Sequence, residues 1–297
     1  MIGFRKPQDF ERARHVLDAA RYRSEGIDAV LGGAGWLTPR AIDLPRYDHL
    51  TRTEIPLHTL IRLLLLRLPV TEAAVCSALA PMALETWVEA GILESVGADG
   101  TVLSRLQMIP VEGLVLAADS PRLDRTDIPD DYVMGPGGSS LQLAWSALPT
   151  VSECTLDLGC GSGLAGLQAS AFSRRVLATD INPRAIEITR FNALLNGCAT
   201  LDARVGSLFE PVPGERFDLI LSNPPFVITP ESHLLLRDSG VRGDMFCKEL
   251  LRQSSEFLRE GGVCQMLANV PHHRQRPWMD EVASWCEDLG CDALVLN

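Results

Sequence analysis

The chain has 297 residues, 46% hydrophobic and 22% charged, which supplies apolar side chains for about two domains. Its formal net charge is −11, and carboxylates outnumber bases in both halves, which excludes a broad basic surface tracking a nucleic-acid backbone. The eight cysteines form no Cys-x-x-Cys pair and the six histidines offer no matching spacing, so the thiols read as small core residues in a reducing compartment, with no metal site.

Residues 1–127 predict a mainly helical first domain. Phe10, Ala13, Leu17 and Ala20 recur at helical spacing over residues 8–23, and Arg12, Arg14, Arg21 and Arg23 lie mainly off that stripe as a solvated face. Thr53 is placed to cap a helix with Pro56 in its first turn, and the body from Leu57 to Leu68 is apolar nearly all round, as a central core helix would be. The run Leu63–Leu66 is far too short to span a bilayer, and no signal-peptide core opens the chain, so a cytoplasmic protein without a membrane partner is expected. Thr71 caps a further short helix, and Pro81 opens another that ends at Gly91. Strand-like runs follow at Ile92–Val96, Thr101–Ile109 and Val111–Ala118, the first two joined by the turn Gly97-Ala98-Asp99-Gly100. Helix, short helix, helix, hairpin resembles a winged-helix module. The helix from Pro81 to Ala90 carries Glu85 and Glu89 and no base, so packing or substrate recruitment is favoured over DNA reading.

Residues 128–150 read as a linker and cofactor-lid segment. Gly135, Gly137 and Gly138 precede a helix at Leu141–Leu148 with Ser139 or Ser140 as its cap. Three glycines there either form a backbone nest for an anion or a plain flexible loop.

From residue 151 to 297 strands and helices alternate, which predicts an α/β, Rossmann-like, mostly parallel sheet with helices on both faces. Strands are expected at Cys154–Leu158, Arg175–Thr179, Ala203–Gly206, Phe217–Ser222, Val263–Ala268 and Cys291–Leu296. Helices are expected at Leu164–Phe172, Pro183–Asn196, Asp244–Arg259 and Trp278–Leu289. After the first strand, Gly159, Gly161 and Gly163 let the backbone approach a ligand at a helix N-terminus. Asp157, two residues upstream, would repel a pyrophosphate and suits an ammonium group. Asp180, ending the second strand, is placed to accept from both hydroxyls of a ribose. In Ser222-Asn223-Pro224-Pro225-Phe226 the prolines stop the fourth strand and hold Asn223 extended at its carboxyl end.

Three stretches in order, Thr155–Gly163, Ala178–Pro183 and Ser222–Phe226, resemble the first, second and fourth motifs of class I S-adenosylmethionine-dependent methyltransferases, the last in the amino-methylating form. Thr51–His58 and Tyr132–Gly135 are similar to actinobacterial methyltransferases with a winged-helix-like first domain. The resemblance implies S-adenosylmethionine as cofactor. Gly159, Gly161 and Gly163 would meet its methionine end, with Asp157 near the amino group, Asp180 on the ribose and Ile181 against the adenine. Ser207 and Leu208 fall where the family has an acid followed by an apolar residue, so adenine recognition there would pass to the Leu208 backbone amide.

Asn223 and Pro224 would accept hydrogen bonds from a planar NH2 with Phe226 stacked on it, which makes the expected activity N-methylation of a nucleic-acid base, a protein glutamine or a small metabolite. The alternative from another class is a cofactor-binding scaffold without catalysis; an NAD-dependent oxidoreductase is disfavoured by Asp157 and the glycine spacing. The seventh strand of the family sheet has no counterpart before Asn297, so either the chain is a truncated form or another segment or a partner chain, such as a second copy, covers that edge.

Overall fold

A computed structural model describes residues 2–37, 41–96, 100–119, 129–224, 243–270 and 277–296. The chain divides into two compact units. The first comprises Met1–Ile128, Val133–Gly137 and Glu187–Ala199; the second comprises Pro129–Tyr132, Gly138–Ile186 and Thr200–Asn297.

In the first unit, α1 (Pro7–Ala19) buries Phe10, Ala13, Val16 and Leu17. It stops short of the expected residue 23 because Arg21 turns the backbone to a φ of 56°. The helices α2 (Ser24–Leu31) and α3 (Leu44–Leu50) follow, unanticipated from the sequence. The apolar helix splits into α4 (Pro56–Leu60) and a π-helical turn, Ile61–Leu65, whose Ile61, Leu63, Leu64 and Leu65 are buried. Ile55, not Thr53, is the capping residue, and no side chain caps that end.

The short β1 (Val70–Thr71) leads into α5 (Glu72–Leu79), where Thr71 does cap, its hydroxyl accepting from the Ala74 N–H at 3.4 Å. Then come α6 (Leu84–Glu89), β2 (Leu93–Val96) and β3 (Thr101–Ser104). The three short strands form an antiparallel sheet in the order β1-β3-β2. The expected turn at Gly97–Asp99 lies outside the described residues. The run predicted as one strand to Ile109 breaks at Arg105-Leu106. Beyond it, β4 (Gln107–Val111) and β5 (Leu114–Ala118) form a separate hairpin through Glu112 and Gly113, both with positive φ as a type I′ turn demands.

The second unit holds α7 (Gly138–Ser146), β6 (Thr155–Leu158), α8 (Leu164–Ala169) and β7 (Val176–Asp180). The helix α9 (Pro183–Leu195) starts in this unit and ends in the first. β8 (Leu201–Val205), β9 (Phe217–Ser222), α10 (Gly243–Phe257), β10 (Leu258–Met266) and α11 (Trp278–Cys286) complete it. The sheet is parallel, in the order β10-β9-β6-β7-β8. β6, first in sequence, lies between β7 and β9, so connections leave it in both directions and the strand ends above it form a switch point.

The sixth strand expected at Cys291–Leu296 is not formed. The chain turns at Asp288 and Gly290, both with positive φ, and Leu294 and Leu296 stay exposed. An apolar β-like run needs a ladder partner, and among the described residues this one pairs with none.

Candidate active site

Strand register brings the three motifs to one level. Leu158 is paired with Thr179 on one side and with Ser222 on the other. Gly159, Asp180 and Asn223 are therefore the next residues of three adjacent strands, side by side at the carboxyl edge. The Ser222 hydroxyl donates to the Leu158 carbonyl at 2.9 Å, and the Gly159 and Cys160 N–H groups donate to the Thr179 carbonyl at 2.8 and 3.0 Å. These bonds tie the tips of the three strands together.

The glycine turn has its expected form. Gly159, Gly161 and Gly163 have φ of 73°, 54° and 85°. A Cβ on Gly159 or Gly161 would point into open space, so the steric demand is for φ above zero and for a bare backbone facing outward. Asp180 braces this turn: its carboxylate accepts from the Gly161 N–H and the Asn182 N–H, each at 2.9 Å. Burial raises the Asp180 carboxyl above its ordinary range, opposed by these two donors. Each oxygen has a second lone pair left for a ribose hydroxyl. Ile181, the next residue, is 57% exposed, so its side chain is accessible from solvent.

Asp157 lies deeper than its neighbours, 3% exposed, with its carboxylate accepting from the Gly166 N–H of α8 at 2.8 Å. Burial pushes this carboxyl up to about 7; the Gly166 bond opposes the rise and the Asp180 charge adds to it. Gly166 is a partner the sequence reading passed over. A Cβ there would sit 3.0 Å from the Asp157 carboxylate, 3.1 Å from its Cβ and 3.3 Å from Leu201, so only glycine lets helix and acid approach this closely.

At the Ser207 corner the Ser207 N–H donates to the Glu210 carboxylate at 3.2 Å, and the Leu208 carbonyl accepts from the Thr179 hydroxyl at 3.3 Å. Leu208 has a φ of 46°, rare for a side chain of its kind, and Gly206 packs so tightly on Pro211 that a Cβ would lie 2.4 Å away. An acid thus stands at this corner although position 207 lacks one; its three-residue offset hid it from motif reading.

Asn223 is half-buried beyond the end of β9, and Pro224 is buried. The Asn223 amide nitrogen donates to the Ser139 hydroxyl at 3.2 Å and to the Ser140 hydroxyl at 3.4 Å. Its oxygen is buried and has no partner among the described residues. The two serines therefore do something other than the expected capping: α7 begins at Gly138, three residues earlier than predicted, and both hydroxyls turn to Asn223. Pro225 and Phe226 lie outside the described residues.

The residues present fit S-adenosylmethionine. The bare glycine turn, the Asp180 carboxylate and the exposed Ile181 lie at one strand edge, beside an acceptor oxygen of Asn223 that has no partner among the described residues.

Comparison with known proteins agrees. The family model described as methyltransferase small domain matches residues 138–289, and a domain of unknown function (DUF7059) matches residues 19–104. A putative protein N5-glutamine methyltransferase of Methanocaldococcus jannaschii is 30% identical over 142 residues, 46% of this chain and 71% of that protein. A release factor glutamine methyltransferase of Koribacter versatilis is 35% identical over 142 residues, 41% of this chain and 50% of that protein. A ribosomal protein uL3 glutamine methyltransferase of Bradyrhizobium diazoefficiens is 37% identical over 136 residues, 40% of this chain and 42% of that protein. The chain thus spans about half the length or less of the latter two. With the family model covering half of its residues and the motif tips gathered on one sheet edge, the chain belongs to the methyltransferase small domain family of S-adenosylmethionine-dependent enzymes.

Proposed function

We propose that the protein transfers a methyl group to the side-chain amide nitrogen of a protein glutamine. The observation that carries this reading is the buried Asn223 oxygen, unpartnered among the described residues, beside the glycine turn and Asp180. A buried acceptor without a donor costs about 1–3 kcal/mol, which a substrate N–H would recover. The named activities of the three relatives, all on glutamine, support an amide as the donor of that N–H. The acidic charge of the chain favours a protein acceptor over a nucleic-acid base.

S-adenosylmethionine, when bound, supplies a methyl group on a sulfonium. Asp180 would hold its ribose, Ile181 its adenine, the glycine turn its methionine end and Asp157 its amino group, with Ser207, Leu208 and Glu210 at the adenine amine. The task left to Asn223 and Pro224 is to make a poor nucleophile reactive. An amide nitrogen is planar because its lone pair is delocalised. Hydrogen bonds from its NH2 to the Asn223 oxygen and the Pro224 carbonyl would orient that lone pair toward the methyl group. The same acceptors stabilise positive charge as it grows on nitrogen. The bound cofactor would supply the methyl group to this nitrogen and keep the electron pair on its sulfur, and the proton lost from the nitrogen would pass to solvent. Proline at 224 stiffens the acceptors, so little reorganisation accompanies the step.

Incubation with tritiated S-adenosylmethionine and a cell extract tests this. Label should enter protein, survive ribonuclease, and be recovered as N5-methylglutamine. Asn223→Ala should remove turnover by about 100-fold or more while S-adenosylhomocysteine binding stays within a few-fold. Label confined to RNA or to small molecules would overturn the acceptor class, and an active Asn223→Ala protein would overturn the mechanism.

A further inference from the structure

We propose that Ser139 and Ser140 are positioning residues that lock the Asn223 carboxamide with its oxygen facing the methyl acceptor. The inference rests on the reading of Asn223 given above and adds the part of the chain that sets its orientation. A carboxamide is nearly symmetric in shape, and rotation by half a turn exchanges oxygen for NH2. Only one of the two orientations can accept from an incoming NH2; the other presents N–H groups to N–H groups.

In the structure the Asn223 amide nitrogen donates to both serine hydroxyls, at 3.2 Å to Ser139 and 3.4 Å to Ser140. The oxygen is then left buried and without a partner among the described residues. With its amide nitrogen held by the two hydroxyls, the side chain turns its oxygen outward, which suits a methyl acceptor that carries an N–H. The two hydroxyls project from consecutive residues in the first turn of α7, directly after Gly135-Pro136-Gly137-Gly138. That glycine-rich stretch thereby gains a role distinct from an anion nest: it delivers two acceptors to one amide.

The test uses the full-length protein labelled with nitrogen-15. The side-chain amide pair of Asn223 is identified by its loss in Asn223→Ala. In the wild type this pair should be shifted from free asparagine and protected from solvent exchange. In Ser139→Ala with Ser140→Ala it should move to free-asparagine positions and exchange rapidly, with the backbone spectrum otherwise preserved. In the tritium assay the double variant should lose about tenfold or more in kcat, with S-adenosylhomocysteine affinity within about threefold. Ser139→Thr with Ser140→Thr, which keeps both hydroxyls, should restore the amide signal and most of kcat. An Asn223 pair unchanged by loss of the hydroxyls would overturn the proposal, as would a double variant with more than half of wild-type turnover. The amide signal is read without an acceptor, so an error about the acceptor class would leave it undisturbed and show only in the identity of the labelled product.

Discussion

Asp157 illustrates how the burial of a single residue couples folding to pH. Without cofactor its carboxyl is pushed up to about 7, chiefly by burial, against an ordinary value of 3.8. A carboxyl raised in the folded protein favours folding in its protonated form. That stability is complete below the ordinary value and is lost as pH rises from about 4 through about 7. Asp157→Asn keeps a neutral group of the same shape, with an oxygen for the Gly166 N–H. The thermal midpoint of the cofactor-free wild type should therefore fall across this pH range relative to the variant, and the variant should be the more stable at pH 8. Parallel midpoint curves would show that Asp157 does not titrate there. The same substitution should weaken S-adenosylmethionine binding at pH 8, where the wild type offers a carboxylate to an ammonium group.

Among the elements, α9 has the most distinctive task. Within the first unit its end presents Asn192 and Asn196 to β5. Asn192 pairs with both the N–H and the carbonyl of Ala117, at 2.8 and 3.0 Å, and Asn196 does the same for Val115, both at 2.9 Å. Four residues of helix rise about 6 Å and two residues of strand about 6.8 Å, so two amides one helical turn apart can satisfy a strand edge in place of another strand. Phe191 and Leu195, on the same stretch, enter the core beside Phe4 and Phe10, with ring centroids 6.2 and 5.7 Å from Phe191. Arg14 closes the helix end by donating to the Leu194 and Leu195 carbonyls at 2.9 and 3.1 Å, which gives one of the arginines of α1 a structural duty. Asn192→Ala would leave two buried backbone groups unpaired, at about 1–3 kcal/mol each. Thermal unfolding followed by tryptophan fluorescence, with Trp36 and Trp87 buried in this unit, should shift down by several degrees; an unchanged midpoint would refute the edge-pairing role.

At the scale of the whole molecule the governing quantity is charge. A net charge of −11 repels a polyanion, and α6 carries Glu85 and Glu89 where a DNA-reading helix would carry bases. RNA and duplex DNA should show no retention at about 0.15 M salt, measured by fluorescence anisotropy with labelled oligonucleotides. Micromolar binding would revive the nucleic-acid reading of the acceptor. No helix among the described residues is long and apolar enough to cross a membrane.

The sequence by itself determined the parallel α/β sheet, the glycine turn and the places of Asp180 and Asn223 at strand ends, because each is written in adjacent residues. Alternating strand and helix patterns, glycines that take positive φ and prolines that end a ladder act locally, and a local cause can be read locally. Tertiary structure decided what those residues meet. Ser139 and Ser140 reach Asn223 across more than eighty positions, Gly166 closes on Asp157, and Asn192 and Asn196 substitute for a strand beside β5. It also decided against the strand at Cys291–Leu296, whose pattern is sound but whose partner is missing among the described residues. A hydrogen bond needs both ends, and a sequence pattern describes only one of them.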